Sequence, residues 1–331
     1  MGRRRAVRSF VVVRGARALV LSAGLVAVGL GVAFGLAGLA NLREPFVDLT
    51  VRADAAATSP RGTEERQVLS FAVAPMENPK PTFLTYRRLV HWISQRVGRR
   101  EAFVMLPSYS EMRRELEAGR VDVAFVCTGT YVNALAGNKV RLLVRPEFKP
   151  ELEYRCLIIV PSQSAVQALP DLRGKIMAFT DPESLTGYLV PSTALIEQGC
   201  GTRTFFDEVI FTGSHDRSIQ AVAVGVADAA GVDALVWQAC LRENPSLRNQ
   251  VRVLWQSEVF GAPPVVVPQS LERALSDSLR DAFLAMDKDA VGREILSDIG
   301  IRRFVLPQRE DYQTAIDLYQ SLQARGDVPW P

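Results

Sequence analysis

From Val68 onward, short apolar runs alternate with longer segments whose apolar residues recur at helical spacing. That alternation constrains the fold more than any other feature of the chain. Buried strands separated by helices build an α/β chain with largely parallel sheets. The strand candidates are Val68–Val73, Phe103–Leu106, Val121–Val126, Leu157–Val160, Lys175–Phe179, Glu208–Phe211, Ala229–Val232 and Val251–Trp255. Helical spacing covers Tyr86–Val97 through Leu89, Val90, Ile93 and Val97, and again Glu111–Ala118, with Gly119 placed as a left-handed terminator. In sheets of this kind ligands sit outside the carboxyl ends of the strands. Those ends carry Pro75-Met76-Glu77, Ser108-Tyr109, Cys127-Thr128-Gly129, Thr180 to Gly187, Gly213-Ser214-His215 and Asp233, the most polar stretches of the pattern.

The chain has 331 residues, 48% of them hydrophobic, enough for two medium domains with cores of their own. Its net charge of +3 comes from the N-terminus, where Arg3, Arg4, Arg5, Arg8, Arg14 and Arg17 crowd together; the remainder is slightly acidic. No basic stripe with interleaved aromatics is present, so nucleic acid is not an expected partner. Residues 1–17 read as a basic cytoplasmic segment and 18–42, free of charge, as a transmembrane anchor in the inner membrane or a signal sequence. The arginines before it leave the bulk of the chain outside the cytoplasm. Residues 43–67 lack any period and read as a linker.

One strand end stands out. After Lys175–Phe179 the chain runs Asp181-Pro-Glu-Ser-Leu-Thr-Gly-Tyr-Leu-Val-Pro-Ser192 into an apolar-periodic segment. Free N–H groups at such a helix start, flanked by hydroxyls, suit a small oxyanion. Alone, the same pattern is an ordinary helix cap; the polar ends of the neighbouring strands make a site of it.

Together these residues resemble the phosphate/phosphite/phosphonate-binding family of periplasmic substrate-binding proteins. The resemblance runs from Val68 to Tyr319. It is carried by Glu117-Ala-Gly-Arg-Val-Asp-Val-Ala124, Tyr154 before Leu-Ile-Ile-Val160, Asp171-Leu-Arg-Gly-Lys175, Asp181 to Pro191, Thr212-Gly-Ser-His-Asp216, Ala221-Val-Ala-Val-Gly-Val-Ala-Asp-Ala-Ala230 and Phe304-Val305. It implies a type II periplasmic binding fold, with two lobes of mixed sheets joined by two crossing strands and preceded here by one N-terminal helix across the membrane. Lobe one would be 68–156 plus 258–331, and lobe two 157–257. Closure at the hinge would trap a small oxyanion or oxyacid. Ser184, Thr186 and Gly187 would hold oxygens, His215 would donate and Asp233 would accept. Tyr109, Tyr131, Cys127 and Thr128 would line the cleft from lobe one. The partner would be an ABC permease or a membrane sensor kinase, the location periplasmic, and no cofactor is implied.

Two departures matter. The family's Ser-Thr-Ser-Gly loop is Ser184-Leu185-Thr186-Gly187 here, and Glu183 sets a carboxylate directly before it, which weighs against a dianion. Cys127 stands where the family has a small residue. An arsenite-sensing branch of the family captures trivalent arsenic with a cleft cysteine, and this chain is similar there, so Cys127 is an arsenic ligand on the alternative reading. Of the four cysteines, Cys200 and Cys240 both fall in lobe two and form the expected disulfide; Cys156 would lie on a crossing strand. His91 reads as a surface residue, and a His/Cys cluster with zinc spacing is missing. A Cys127/His215 nucleophilic pair lacks an orienting third residue, so an enzyme is not expected.

Overall fold

The computed structural model describes residues 68–77, 79–201 and 204–325. The expected membrane segment 18–42 and linker 43–67 lie outside the described residues. Among those residues, no helix is long and apolar enough to cross a membrane.

Eleven strands are described, in two sheets. They are β1 (Val68–Val73), β2 (Arg100–Val104), β3 (Val123–Phe125), β4 (Val140–Phe148), β5 (Cys156–Pro161), β6 (Ile176–Phe179), β7 (Glu208–Phe211), β8 (Ala229–Asp233), β9 (Val251–Gln256), β10 (Val265–Pro268) and β11 (Ile301–Val305). Sheet one runs β11-β4-β10-β3-β1-β2 and sheet two β7-β6-β8-β5-β9. Both follow one plan. A parallel triplet, β2-β1-β3 or β7-β6-β8, is extended by antiparallel strands. The first of these is β10 in sheet one and β5 in sheet two, each arriving from the opposite lobe. The sheets are therefore mixed rather than largely parallel. β4 escaped the apolar pattern because its Val-Arg-Leu-Leu-Val-Arg-Pro-Glu-Phe alternates charge with apolarity.

The chain crosses between the sheets twice, through 149–155 and 257–264. These connectors are not strands of either ladder. They run beside each other, with Phe260 N–H donating to the Tyr154 carbonyl (2.9 Å) and Ser257 N–H to that of Cys156 (3.0 Å). Cys156, expected at the end of lobe one, is the first residue of β5.

A repeated device locks each triplet. The helices Tyr109–Glu117 and His215–Ala223 are each followed by a left-handed glycine, Gly119 (φ 70°) and Gly225 (φ 77°). Three residues later an aspartate folds back on the neighbouring strand. Asp122 accepts the Ser70 N–H (2.8 Å), and Asp228 accepts that of Ile176 (2.9 Å). Their own N–H groups return bonds to the Ser70 and Ile176 carbonyls.

The apolar core has three parts. One lies within lobe one around Phe71, Ile93 and Phe283, one within lobe two around Ile159, Ile219 and Trp237, and one spans both sheets. This division removes the expected Cys200–Cys240 disulfide. All four cysteines are free. Cys200 packs in the spanning core, on the face of sheet two that presents Ile158 and Met177, while Cys240 packs on the face that presents Ile159 and Ala178. Alternate strand residues face opposite ways, so the sheet itself separates the two thiols.

Removal of either aspartate leaves a strand-edge N–H without its partner. Asp122→Ala and Asp228→Ala are each expected to lower the unfolding free energy by about 1–3 kcal/mol in urea denaturation.

Candidate functional site

The carboxyl ends of both parallel triplets face each other, and helix starts meet there. Cys127 is the N-cap of Thr128–Ala136, Ser184 of the turn Leu185–Leu189 that leads into Val190–Glu197, Ser214 of His215–Ala223, and Asp233 of Ala234–Glu243. Contacts link these caps into one buried cluster. Cys127 Sγ lies 4.0 Å from Ser184 Oγ, which lies 3.5 Å from His215 Nε2. His215 Nδ1 accepts the Asp233 N–H at 3.1 Å. Partial positive charge at several helix N-termini thus gathers in one water-poor space, an arrangement that favours an anion.

His215 is fully buried, and burial pulls its pKa down to about 3. The imidazole is neutral, and because Nδ1 accepts from Asp233 N–H its proton sits on Nε2, facing Ser184. Thr180 Oγ1 stands 3.1 Å from Nδ1 and completes the support. His215 N–H donates across the lobes to the Met76 carbonyl (2.9 Å).

Ser184 Oγ accepts the Gly187 N–H at 3.0 Å. A Cβ on Gly187 would stand 2.5 Å from Thr180, so only glycine lets this loop close. Leu185 buries its side chain in the spanning core and turns its N–H to Cys127 Sγ (3.5 Å). The sulfur also takes the Gly129 N–H and lies 3.8 Å from the Tyr154 hydroxyl. Burial nevertheless pushes the Cys127 thiol up. A protonated thiol and an unprotonated histidine are the reverse of an activated nucleophilic pair.

Two hydroxyls in the cluster are weakly held. Tyr109 Oη and Thr186 Oγ1 are buried and make no well-formed hydrogen bond among the described residues, their polar neighbours being the hydroxyls of Ser184 and Tyr154. A buried hydroxyl without a full hydrogen bond costs up to about 1–3 kcal/mol unless something binds it. Asp233 is also buried, and that burial, with the nearby Glu77 charge, pushes its carboxyl up to about 7 against the N–H groups of Leu235 and Val236. A cavity of about 220 Å³ adjoins the cluster at Asp233, lined by Met76, Glu77, Tyr86, Phe148 and Arg242 among others. Burial, then Asp216 and Glu243, raise Glu77 to about 7 as well.

Of the residues singled out from sequence, Cys127, Ser184, Thr186, Gly187, Tyr109, His215 and Asp233 come together. Thr128 spends its hydroxyl on the Gly261 carbonyl (2.9 Å), which fixes the returning connector. The Tyr131 ring packs edge-on against Tyr312, with ring centroids 5.0 Å apart. His91 is exposed and pairs with Glu101. Glu183 does not stand as a free charge beside the loop. Arg113 Nε donates to both its oxygens, at 3.0 and 3.2 Å, so the expected repulsion of a dianion is neutralised. Sequence reasoning missed Thr180, Tyr154 and Arg113 as site residues. Thr180 and Tyr154 lie in the quoted stretches, but nothing in their spacing shows the contact, and Arg113 carries no sequence signal of its own.

Residues 71–312 match the model of a family described as the periplasmic substrate-binding protein of phosphonate ABC transporters. The chain belongs to that family. The phosphate-import protein PhnD of Mycolicibacterium smegmatis is 26% identical over 228 residues, 66% of this chain and 71% of that protein. The phosphonates-binding periplasmic protein of Escherichia coli is 22% identical over 250 residues, 73% of each. Among solved structures, a binding-protein component of an ABC phosphonate transporter from Pseudomonas aeruginosa superposes with a TM-score of 0.73 at 19% identity, covering 80% of this chain and 90% of its own. PhnD1 from Prochlorococcus marinus, in complex with methylphosphonate, gives 0.71 at 18% identity, covering 78% and 98%. At such identities the structural likeness establishes the two-lobed fold and no more.

The His215 environment has a consequence for acid stability. Its folded pKa of about 3 lies below the ordinary 6.5, so the unfolded chain takes up the proton first as pH falls. His215 therefore withdraws stability progressively between about pH 6.5 and pH 3, and not above. Urea denaturation of the protein and of His215→Asn at about pH 7 and about pH 5 reads this: the margin of the native protein over the variant narrows at the lower pH.

Proposed function

We propose that this chain is a periplasmic solute-binding protein. It captures a small phosphorus oxyanion of the phosphonate, phosphite or phosphate class between its lobes and presents it to an ABC permease. The observation that carries the reading is the pair of buried, weakly held hydroxyls, Tyr109 and Thr186, beside the N–H-rich Ser184–Gly187 loop and the neutral His215 donor. In the bound state these groups donate to the oxyanion oxygens, and Asp233 accepts from a protonated ligand oxygen or another donor on the ligand. The adjoining cavity takes the organic substituent where the ligand has one. The two lobes, one built on each sheet, close by hinge motion over the ligand. Residues 18–42 export the chain, as a cleaved leader or as a tether to the inner membrane. Membership of the transporter family and the names of the relatives support this reading.

A second reading is favoured by one observation: Cys127 Sγ lies within the cradle itself, beside Ser184 and the Leu185 N–H. Neutral arsenite would bind there through an arsenic–sulfur bond, with one arsenic hydroxyl leaving as water with the thiol proton. Such a protein would report to a membrane sensor kinase rather than feed a permease.

Calorimetric titration of the reduced protein against methylphosphonate, phosphite, phosphate and arsenite separates the two. The first reading expects binding of a phosphorus ligand that Thr186→Val weakens about tenfold or more, the loss of one buried hydrogen bond to an ionised group. It also expects Cys127→Ser to change that affinity little. Arsenite binding that disappears in Cys127→Ser, with no phosphorus ligand bound, overturns it.

A further inference from the structure

We infer that Arg113 is a positioning residue for ligand retention: its guanidinium clamps Glu183, and through it the Ser184–Gly187 donor loop, onto lobe one, so that closure is held by charge. This inference rests on the binding function proposed above.

Arg113 and Glu183 lie in different lobes, 70 positions apart in sequence. Arg113 sits one turn after Tyr109 on the helix Tyr109–Glu117, so the two share a helix face. From that face the helix grips the loop twice. Tyr109 N–H donates to Asp181 Oδ2 at 3.4 Å, and Arg113 Nε donates to both oxygens of Glu183. The two grips are linked, because Asp181 Oδ1 accepts the Glu183 N–H at 2.8 Å. Glu117 takes Arg113 Nη1 at 3.1 Å and fixes the guanidinium plane from within the same helix.

The loop held in this way carries the donors. Ser184 follows Glu183 directly, and the next N–H, of Leu185, ends on Cys127 Sγ. The main chain of the loop also sits hard against lobe one. A Cβ on Gly129 would stand 2.3 Å from the Glu183 carbonyl oxygen and 2.7 Å from the Leu185 nitrogen. Side chain and backbone of Glu183 thus meet lobe one together, and displacing either moves Ser184.

The side chains of Arg113 and Glu183 are 23% and 11% exposed, which sets the pair apart from the surface bridges of this chain, such as Arg88–Glu294 at 43% and 64%. Exposed pairs contribute about 0–1 kcal/mol. A largely enclosed pair resists screening, and truncating one partner acts mainly on the rate of dissociation. Because the guanidinium is spent on Glu183 and Glu117, its influence on a ligand runs through the loop.

Stopped-flow binding of methylphosphonate to the full chain tests the clamp, with Arg113→Gln and the charge-swapped variant Arg113→Glu/Glu183→Arg, carrying Glu117→Gln to remove the like charge one turn on, beside the native protein. Arg113→Gln is expected to raise the dissociation rate about tenfold or more while the association rate changes little, and the swap to recover most of the loss. Hydrogen exchange on the unliganded chain reads the same clamp without a ligand: protection at 183–187 and 127–131 falls in Arg113→Gln and holds at β5 and β8. An unchanged dissociation rate with unchanged loop exchange overturns the inference, as does a loss of protection across both sheets that the swap fails to restore. Silence of the native protein toward methylphosphonate, phosphite and phosphate alike sinks the binding proposal alone, and the exchange comparison then decides the clamp.

Discussion

Free N–H groups at the starts of helices have to be satisfied, and here they are gathered on the facing carboxyl edges of two sheets. Every parallel strand that feeds a helix delivers such a start to the same edge. With two lobes built on one plan, those edges oppose each other, and the caps Cys127, Ser184, Ser214 and Asp233 meet in the middle. Several N–H groups are consumed internally, by Cys127 Sγ, Ser184 Oγ and His215 Nδ1. What remains least satisfied is hydroxyl, on Tyr109 and Thr186, which make no well-formed bond to their neighbours Ser184 and Tyr154, and that is where an outside acceptor has most to offer.

The cradle presents dipoles rather than cations. Its imidazole is neutral, and the guanidinium of Arg113 is spent on carboxylates. Asp233 and Glu77, each pushed up to about 7 by burial, leave negative charge only partly developed around the site near neutral pH. Such a site distinguishes ligands by where they carry protons as much as by total charge. A protonated oxygen or another donor suits Asp233, and bare oxygens suit the loop, Tyr109 and His215 Nε2–H.

Much of the fold was legible because its local rules repeat. Gly119 with Asp122 and Gly225 with Asp228 are the same sentence written twice, a helix stop followed by a side chain that pins the neighbouring strand. β1, β7 and β8 declared themselves by short, largely apolar runs bounded by polar residues. β4, β10 and β11 did not. They are antiparallel, the longest alternates charge with apolarity, and β10 pairs with strands more than a hundred residues earlier. The cysteines show the same limit. Cys200 and Cys240 share a lobe, yet opposite faces of a sheet keep them apart.

The sequence by itself determined which residues would lie at strand ends and helix starts, because periodicity, glycine stops and cap chemistry act over a few residues. Ser184, Thr186, Gly187, His215 and Asp233 were readable for that reason. Only the tertiary structure decided what those residues face. It packed Tyr131 against Tyr312, spent the Thr128 hydroxyl on Gly261, set His215 on Thr180, and gave Glu183 a counter-charge from the other lobe. Each of these contacts joins residues that chain-local rules cannot relate, since what brings them together is the packing of one lobe on the other.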